Sequence, residues 1–277
     1  MKRILTIQDI SCVGKCSLTV ALPIISAFGV ETAVLPTAVL STHTMFKGFT
    51  FRDLTDDITA IKEHWLDQNI GFDALYTGYL GSFEQLELCA KMFEDFKRDD
   101  NFILVDPVMA DNGKLYPSFD QKFADNMTKL CGKADIIVPN LTEASFMLHT
   151  PYVEKGYSEE YIKDLLRKLT DLGCNKAVLT GVSFEEDKLG VYTYDKTTGE
   201  YFSYFREKLP VSFHGTGDIF SSSLCGALAM GKTIEEALMI AVDYTVESIK
   251  ITMDNPEHNW YGVEFEKAIP YLINRIK

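Results

Sequence analysis

Along this chain, short apolar runs alternate with longer stretches whose apolar residues recur every three or four positions, a pattern that predicts strands separated by helices. Arg3 to Gln8 reads as a strand, Asp9 to Gly14 as a polar turn, and Ser17 to Phe28 as a helix closed by Gly29. Val30 to Val39 returns to strand and ends in Ser41-Thr42-His43-Thr44. Asp53 to Gln68 is helical, with Ile58, Ile61, Trp65 and Leu66 on one face. Asp73 to Thr77 is a strand stopped at Gly78-Tyr79, and Ser82 with Gln85 has the form of a capping box opening a helix to Lys97.

The alternation continues. Phe102 to Val105 and Asp135 to Val138 are short apolar runs of the kind buried in parallel sheets, with a helix from about Phe119 to Leu130 between them. Thr142 starts a short helix, Ser158 to Leu172 is a longer one stopped by Gly173, and Lys176 to Leu179 is a strand ending in Thr180-Gly181. Leu189 to Tyr194 and Tyr201 to Phe205, joined through Asp195 to Gly199, read as an antiparallel hairpin. Helices from Ile219 through Leu228, Ile234 to about Thr252, and Val263 to Ile276 finish the chain. The expected fold is therefore α/β, a mainly parallel central sheet with helices on both faces. Ligands in such folds bind outside the carboxyl ends of the strands. The clusters Asp9/Ser11, Ser41 to Thr44, Gly78/Tyr79, Asp106/Asp111, Asn140/Glu143 and Thr180/Gly181 all follow expected strands and should share one rim with Asp218.

Composition narrows the picture. The 277 residues carry no linker-like tract or internal repeat, so a single domain spanning 1–277 is expected. A net charge of −13 argues against a nucleic-acid or anionic-membrane surface, so an anionic substrate needs local donors. The apolar run behind Met1-Lys2-Arg3 is broken at Gln8 and Asp9, too soon for a signal peptide, and no stretch is long enough to span a bilayer. A cytoplasmic protein is expected. Six cysteines in a chain of this length give no disulfide framework, and Cys12 and Cys16 lack a second Cys/His pair at metal-ligand spacing.

The strongest chemistry lies at His214-Gly215-Thr216-Gly217-Asp218, where an extended segment gives way to a helical pattern. Gly215 and Gly217 let the backbone turn and approach a ligand closely, and the first N–H groups of the helix favour an anion. Asp218, kept ionised by the helix dipole, would accept a proton beside that anion hole, a pairing suited to phosphoryl transfer. A second motif is deceptive. Gly226 to Thr233 matches the P-loop pattern, but Ala227 to Met230 continues the helix begun at Ile219, so Gly231 reads as a helix C-cap and Thr233 with Glu236 as the next capping box.

With these residues assembled, the chain resembles the ribokinase-like superfamily and, within it, the pyridoxal (vitamin B6) kinases, over essentially its whole length. The resemblance rests on Gly215 to Asp218 and on Ile7-Gln8, Ser41-Thr42-His43-Thr44, Thr77-Gly78-Tyr79, Asp106-Pro107-Val108-Met109 and Pro139-Asn140 with Glu143, each following a strand in family order. It implies a three-layer ribokinase-like sandwich that transfers phosphate from ATP to the 5′-hydroxymethyl group of pyridoxal, pyridoxine or pyridoxamine. Asp218 would be the base and Gly215, Thr216 and Gly217 the anion hole. Asp9, Thr44 and Tyr79 would face the pyridine ring, and Asp218 the alcohol. Asp106, Asp111, Asn140, Glu143, Thr180, Gly181, Phe213, Gly215 and Gly217 would lie along the nucleotide, with Mg²⁺ held by Asp106 and Glu143, partly through water. A homodimer is expected on the same ground.

The chain also departs from the family. Asp9 stands where pyridoxal kinases commonly have Ser, and Val138 replaces a Thr that in some members lies near a monovalent cation, which weakens the case for K⁺ or Na⁺. Hydroxymethylpyrimidine kinases share the fold, but their glycine-rich opening after the first strand is missing here. No cysteine lies between Asp106 and Phe119, where some bifunctional relatives place a reactive one.

Overall fold

Ile4, Leu5 and Ile7 are fully buried in β1 (Arg3–Ser11), the strand on which the first part of the chain is built. The computed structural model describes residues 1–277. After β1 come α1 (Leu18–Ala27), β2 (Glu31–Leu40), β3 (Phe51–Asp53), α2 (Thr55–Asp67) and β4 (Ala74–Thr77). Next are α3 (Phe83–Phe96), β5 (Phe102–Val105), the small hairpin β6 (Ala110–Asp111) and β7 (Lys114–Leu115), α4 (Gln121–Cys131), β8 (Ile136–Ile137), α5 (Leu141–Met147) and α6 (Glu159–Asp171). The chain continues through β9 (Lys176–Val182), β10 (Lys188–Asp195) and β11 (Glu200–Glu207), then closes with α7 (Thr216–Ala229), α8 (Ile234–Asp254) and α9 (Phe265–Ile276).

Two compact units result: Met1–Gly78 with Leu209–Lys277, and Tyr79–Lys208. In the first, β1 pairs in parallel with both β2 and β4, and β3 adds an antiparallel edge to β2. The β1–β2 register slips at Asp9: Gln8 faces Pro36 but Ile10 faces Val39, so one residue of β1 opposes two of β2. Such a bulge re-aims side chains at the end of a pair. Gly226 lets α7 approach α1, since a Cβ there would stand 2.6 Å from the Phe28 ring. In the second unit, β5, β8 and β9 are parallel, and β10 and β11 complete the sheet antiparallel, as the hairpin reading requires.

The order of elements held, with β3 added and several boundaries shifted. Ser82 accepts from the Gln85 N–H, but the Gln85 side chain reaches Gly81 N–H rather than closing a box on Ser82. α4 is capped by Asp120 and α5 by Asn140, so each starts within two residues of the expected position. The P-loop look-alike is structural. Residues 226 to 229 are helix, Gly231 takes the left-handed φ of +85° after the C-cap, and Thr233 forms a complete capping box with Glu236. No helix is long and apolar enough to cross a membrane.

Candidate active site

In the first unit, Gly215 is the N-cap of α7 with φ +86°, a left-handed conformation natural to glycine, and no side chain caps the helix. The first-turn N–H groups of a 14-residue helix are thus presented as an anion-binding end, with open space where a Gly217 Cβ would stand. Asp218 sits in that first turn. The Thr216 hydroxyl donates to the Phe213 carbonyl at 3.2 Å, fixing the entry to the helix, and Phe213 packs edge-on against His258 at 5.5 Å.

Beside this end lies a second carboxylate, that of Asp9. Asp9 is only 4% exposed, and its two oxygens accept from Ser17 Oγ at 2.5 Å and Ser11 Oγ at 3.0 Å. Burial is the largest influence on the Asp9 carboxyl and pushes it above the ordinary range, against the two serine bonds. Cys16 is buried here as well, and burial followed by the fields of Asp218 and Asp9 keeps its thiol protonated. The segment that carries Cys16 is strained: Lys15 has φ +52°, and Ser17 has φ +52° with ψ −134°, a conformation costing a non-glycine residue on the order of 1–3 kcal/mol.

Thr44 is exposed, one residue after a His43 that is 2% exposed. His43 Nδ1 accepts from the Met45 N–H at 3.2 Å, so its Nε2 carries the proton and donates to the Tyr261 carbonyl at 3.0 Å. Desolvation lowers the pKa of His43, and His214, its ring 4.4 Å away, is pushed down to about 4 by burial and by His43. Both rings are neutral at pH 7.

In the second unit, Glu143 is 3% exposed and serves backbone donors, accepting from Asn140 N–H at 2.9 Å and Met109 N–H at 3.1 Å. Asn140 accepts from Glu143 N–H and donates to the Ala110 carbonyl, so the pair is a complete capping box that also fastens the chain between Asp106 and Asp111. Burial, then the nearby Asp106, holds the Glu143 carboxyl well above the usual range. Thr180 and Asn140 meet in a parallel bridge, with Thr180 N–H on the Pro139 carbonyl at 3.0 Å, and Gly181 follows with φ +73°. Asp111 is exposed on the β6–β7 hairpin, whose Gly113 N–H is held by Thr142 Oγ1 at 3.0 Å. Tyr79 packs against Phe119 at 5.7 Å.

No group of three or more His, Cys, Asp or Glu side chains gathers to hold a metal. A magnesium ion that keeps most of its waters needs only one or two carboxylates and its substrate's phosphates. Asp106 and Glu143 meet that requirement: they are hard oxygen donors, buried close enough to repel one another, and a cation would offset both effects.

The sequence pattern places Ser11 on the rim beside Asp9 but does not mark Ser17 or Thr142 as supporting residues. The dipeptide Asn112-Gly113 was the one local signal for the hairpin, because both positions take positive φ. Nothing local announced Ser17.

Known proteins share this fold. A Bacteroides thetaiotaomicron protein assigned to the phosphomethylpyrimidine kinases, and crystallised with pyridoxal, superposes with a TM-score of 0.93 at 39% identity, covering 98% of this chain and 95% of that one. Pyridoxal kinase from Lactobacillus plantarum superposes with a TM-score of 0.90 at 29% identity, covering 99% and 97%. Bacillus subtilis pyridoxine kinase is 31% identical over 193 residues, which is 67% of this chain and 66% of the relative's length. The α/β fold with a mostly parallel sheet flanked by helices is that of the ribokinase-like kinases. A family profile matches residues 22–262, which include parts of both units, and the chain belongs to the phosphomethylpyrimidine kinase family.

Proposed function

We propose that this protein is an ATP-dependent kinase that phosphorylates the 5′-hydroxymethyl group of pyridoxal, pyridoxine or pyridoxamine. The observation that carries the reading is an uncapped helix N-terminus at Gly215 with a carboxylate, Asp218, in its first turn. Asp218 takes the proton of the attacking hydroxyl, and the N–H groups from Gly215 to Asp218 stabilise charge on the transferring phosphoryl. Thr44 and Asp9 orient the ring alcohol, and Tyr79 contributes ring contact. Asp111, Asn140, Thr180, Gly181 and Phe213 line the nucleotide, with Asn140 acting mainly by fixing the loop that carries Asp106. Asp106 and Glu143 would hold magnesium, partly through water, and the ion would supply charge neutralisation at the nucleotide phosphates.

The pyridoxal bound to the 39%-identical relative supports the choice of substrate. The proposal treats residues 1–277 as one catalytic domain, supported by a family match that runs through both units. It includes a reducing, cytoplasmic setting, in keeping with six free cysteines, and a homodimer testable by sedimentation.

A hydroxymethylpyrimidine kinase is the competing reading, favoured by the name of the matching family. ATP consumption with pyridoxal, pyridoxamine and hydroxymethylpyrimidine in parallel, each beside Asp218→Asn, separates them. Turnover on the pyridines that the substitution removes is the expected result. Turnover on the pyrimidine alone would keep the fold and the base and discard the substrate.

A further inference from the structure

We propose that Tyr152 and Tyr157 are positioning residues for the nucleotide: the segment from Thr150 to Ser158 ties the hairpin that carries Asp111 to the bulged turn at Thr180-Gly181. This rests on the kinase reading, which assigns both turns to the nucleotide.

The segment joins α5 to α6 without a helix or strand of its own, yet both its ends are held. Thr150 N–H donates to the Ser145 carbonyl at 3.0 Å, and Ser158 caps α6 by accepting from Tyr161 N–H at 3.2 Å. Tyr152 and Tyr157, both half-buried, reach two different turns of the second unit.

A Cβ on Gly113 would stand 2.8 Å from the Tyr152 ring, so the ring lies directly on this left-handed glycine of the β6–β7 hairpin. Thr142 Oγ1 accepts the Gly113 N–H at 3.0 Å and is also hydrogen-bonded to the Tyr152 phenol. Gly113 is thus held by a ring contact and by a chain of two hydrogen bonds. Asp111 belongs to the same turn, since its carboxylate accepts from the N–H and the side-chain amide of Asn112, each at 2.9 Å. Moving Gly113 therefore moves Asp111.

On the other side, the β9–β10 register slips at Gly181: Thr180 faces Val191 and Val182 faces Gly190, leaving Gly181 as the extra residue with φ +73°. Just beyond this bulge, Ser183 N–H donates to the Tyr157 phenol oxygen at 2.8 Å. The Tyr157 ring stacks on Tyr161 of α6 at 6.0 Å and meets Phe184 edge-on at 5.9 Å, which fixes the phenol to a helix packed on β9 and β10. Burial raises the pKa of both tyrosines, and the field of Tyr152 adds to the rise at Tyr157, so the two phenols are neighbours and stay protonated at neutral pH. Irregular connections and hairpin tips are ordinarily the mobile parts of a fold. Fastening both turns to one segment lowers the cost of ordering them around a nucleotide.

Calorimetric Kd for ADP, KM for ATP and for pyridoxal, kcat and melting temperature, on wild type, Tyr152→Ala, Tyr152→Phe, Tyr157→Phe and the double variant of Tyr152→Ala with Tyr157→Phe, test the idea. Tyr152→Ala should weaken ADP and raise KM for ATP about 10-fold while KM for pyridoxal stays within about twofold. Tyr152→Phe keeps the ring on Gly113 and should recover most of that loss. Tyr157→Phe leaves the Ser183 N–H without its acceptor and should raise KM for ATP about 5-fold. Because one segment holds both turns, the double variant should lose less than the product of the single losses, and losses that multiply in full would overturn the tie between the turns. A merely structural pair would lower the melting temperature with ADP affinity and both KM values unmoved, or would shift the two KM values alike; either result overturns the proposal. No ADP binding by wild type would remove the nucleotide reading and the proposal with it. ADP bound by wild type and weakened in the variants, with no turnover of pyridoxal, would uphold the fastening and sink the kinase reading.

Discussion

A Cβ on Gly215 would stand 2.1 Å from the carbonyl oxygen of Lys15. Together with its φ of +86°, that proximity makes Gly215 irreplaceable on two counts, conformation and space. Gly215→Ala should cost about 2–4 kcal/mol from left-handed strain plus forced backbone displacement, and kcat should fall by at least ~100-fold as the anion hole moves. Thermal melting and steady-state kinetics on the same preparation check both halves. Gly217→Ala, with open space around it, should be the milder change in stability.

Asp218→Asn keeps size and removes the proton acceptor. We expect kcat to fall by about 10²- to 10⁴-fold with KM for ATP little changed, and stability to shift by less than about 1 kcal/mol from loss of a first-turn charge. A variant with more than a tenth of wild-type kcat would exclude Asp218 as the base.

The Asn140–Glu143 box should matter to stability, because the Glu143 carboxyl that closes it is buried. Glu143→Ala orphans the N–H groups of Met109 and Asn140, which predicts a loss of about 2–4 kcal/mol, or roughly 5–10 °C in melting temperature. Glu143→Gln retains an acceptor and should lose less. If Glu143 also steadies magnesium, both variants will need more Mg²⁺ for half-maximal activity, read from a metal titration of the rate.

Acid should loosen the first unit. His43 is neutral in the folded state with its pKa depressed, while an unfolded histidine titrates near 6.5, so below that pH the unfolded chain binds the extra proton. The contribution is fully present above pH 6.5 and is lost as pH falls through the depressed folded value. His214, pushed down to about 4, adds to the same loss over the same pH range. His43→Gln should flatten the fall in melting temperature between pH 7 and 5, and an unchanged slope would remove His43 from the account.

Lys232 provides the contrast. It lies between a helix C-terminus and the Thr233 capping box, so Lys232→Ala should leave kcat/KM for ATP within about twofold. A P-loop lysine in that place would lose nearly all activity.

What the chain declares locally it declares plainly. Ile4 to Ile7, Leu104 to Val105 and Ile136 to Ile137 are parallel strands because short apolar runs flanked by turn residues fit few other environments, and the β10–β11 hairpin follows from two alternating runs around a Gly-containing turn. β3 escaped notice because Phe51, Arg52 and Asp53 are all exposed and too short to show a period. The start of α7, the left-handed Gly231 and the Thr233–Glu236 box depend on residues within a few positions of one another, so the sequence determined them. Tertiary structure alone decided that Ser17 would bend into left-handed φ to reach Asp9, that the His43 ring would pack at a tilt against His214, and that Glu143 would serve Met109, 34 residues away. Those contacts join segments that approach only after the sheet has formed, and a side chain's partner across such a gap leaves no trace in its immediate neighbours.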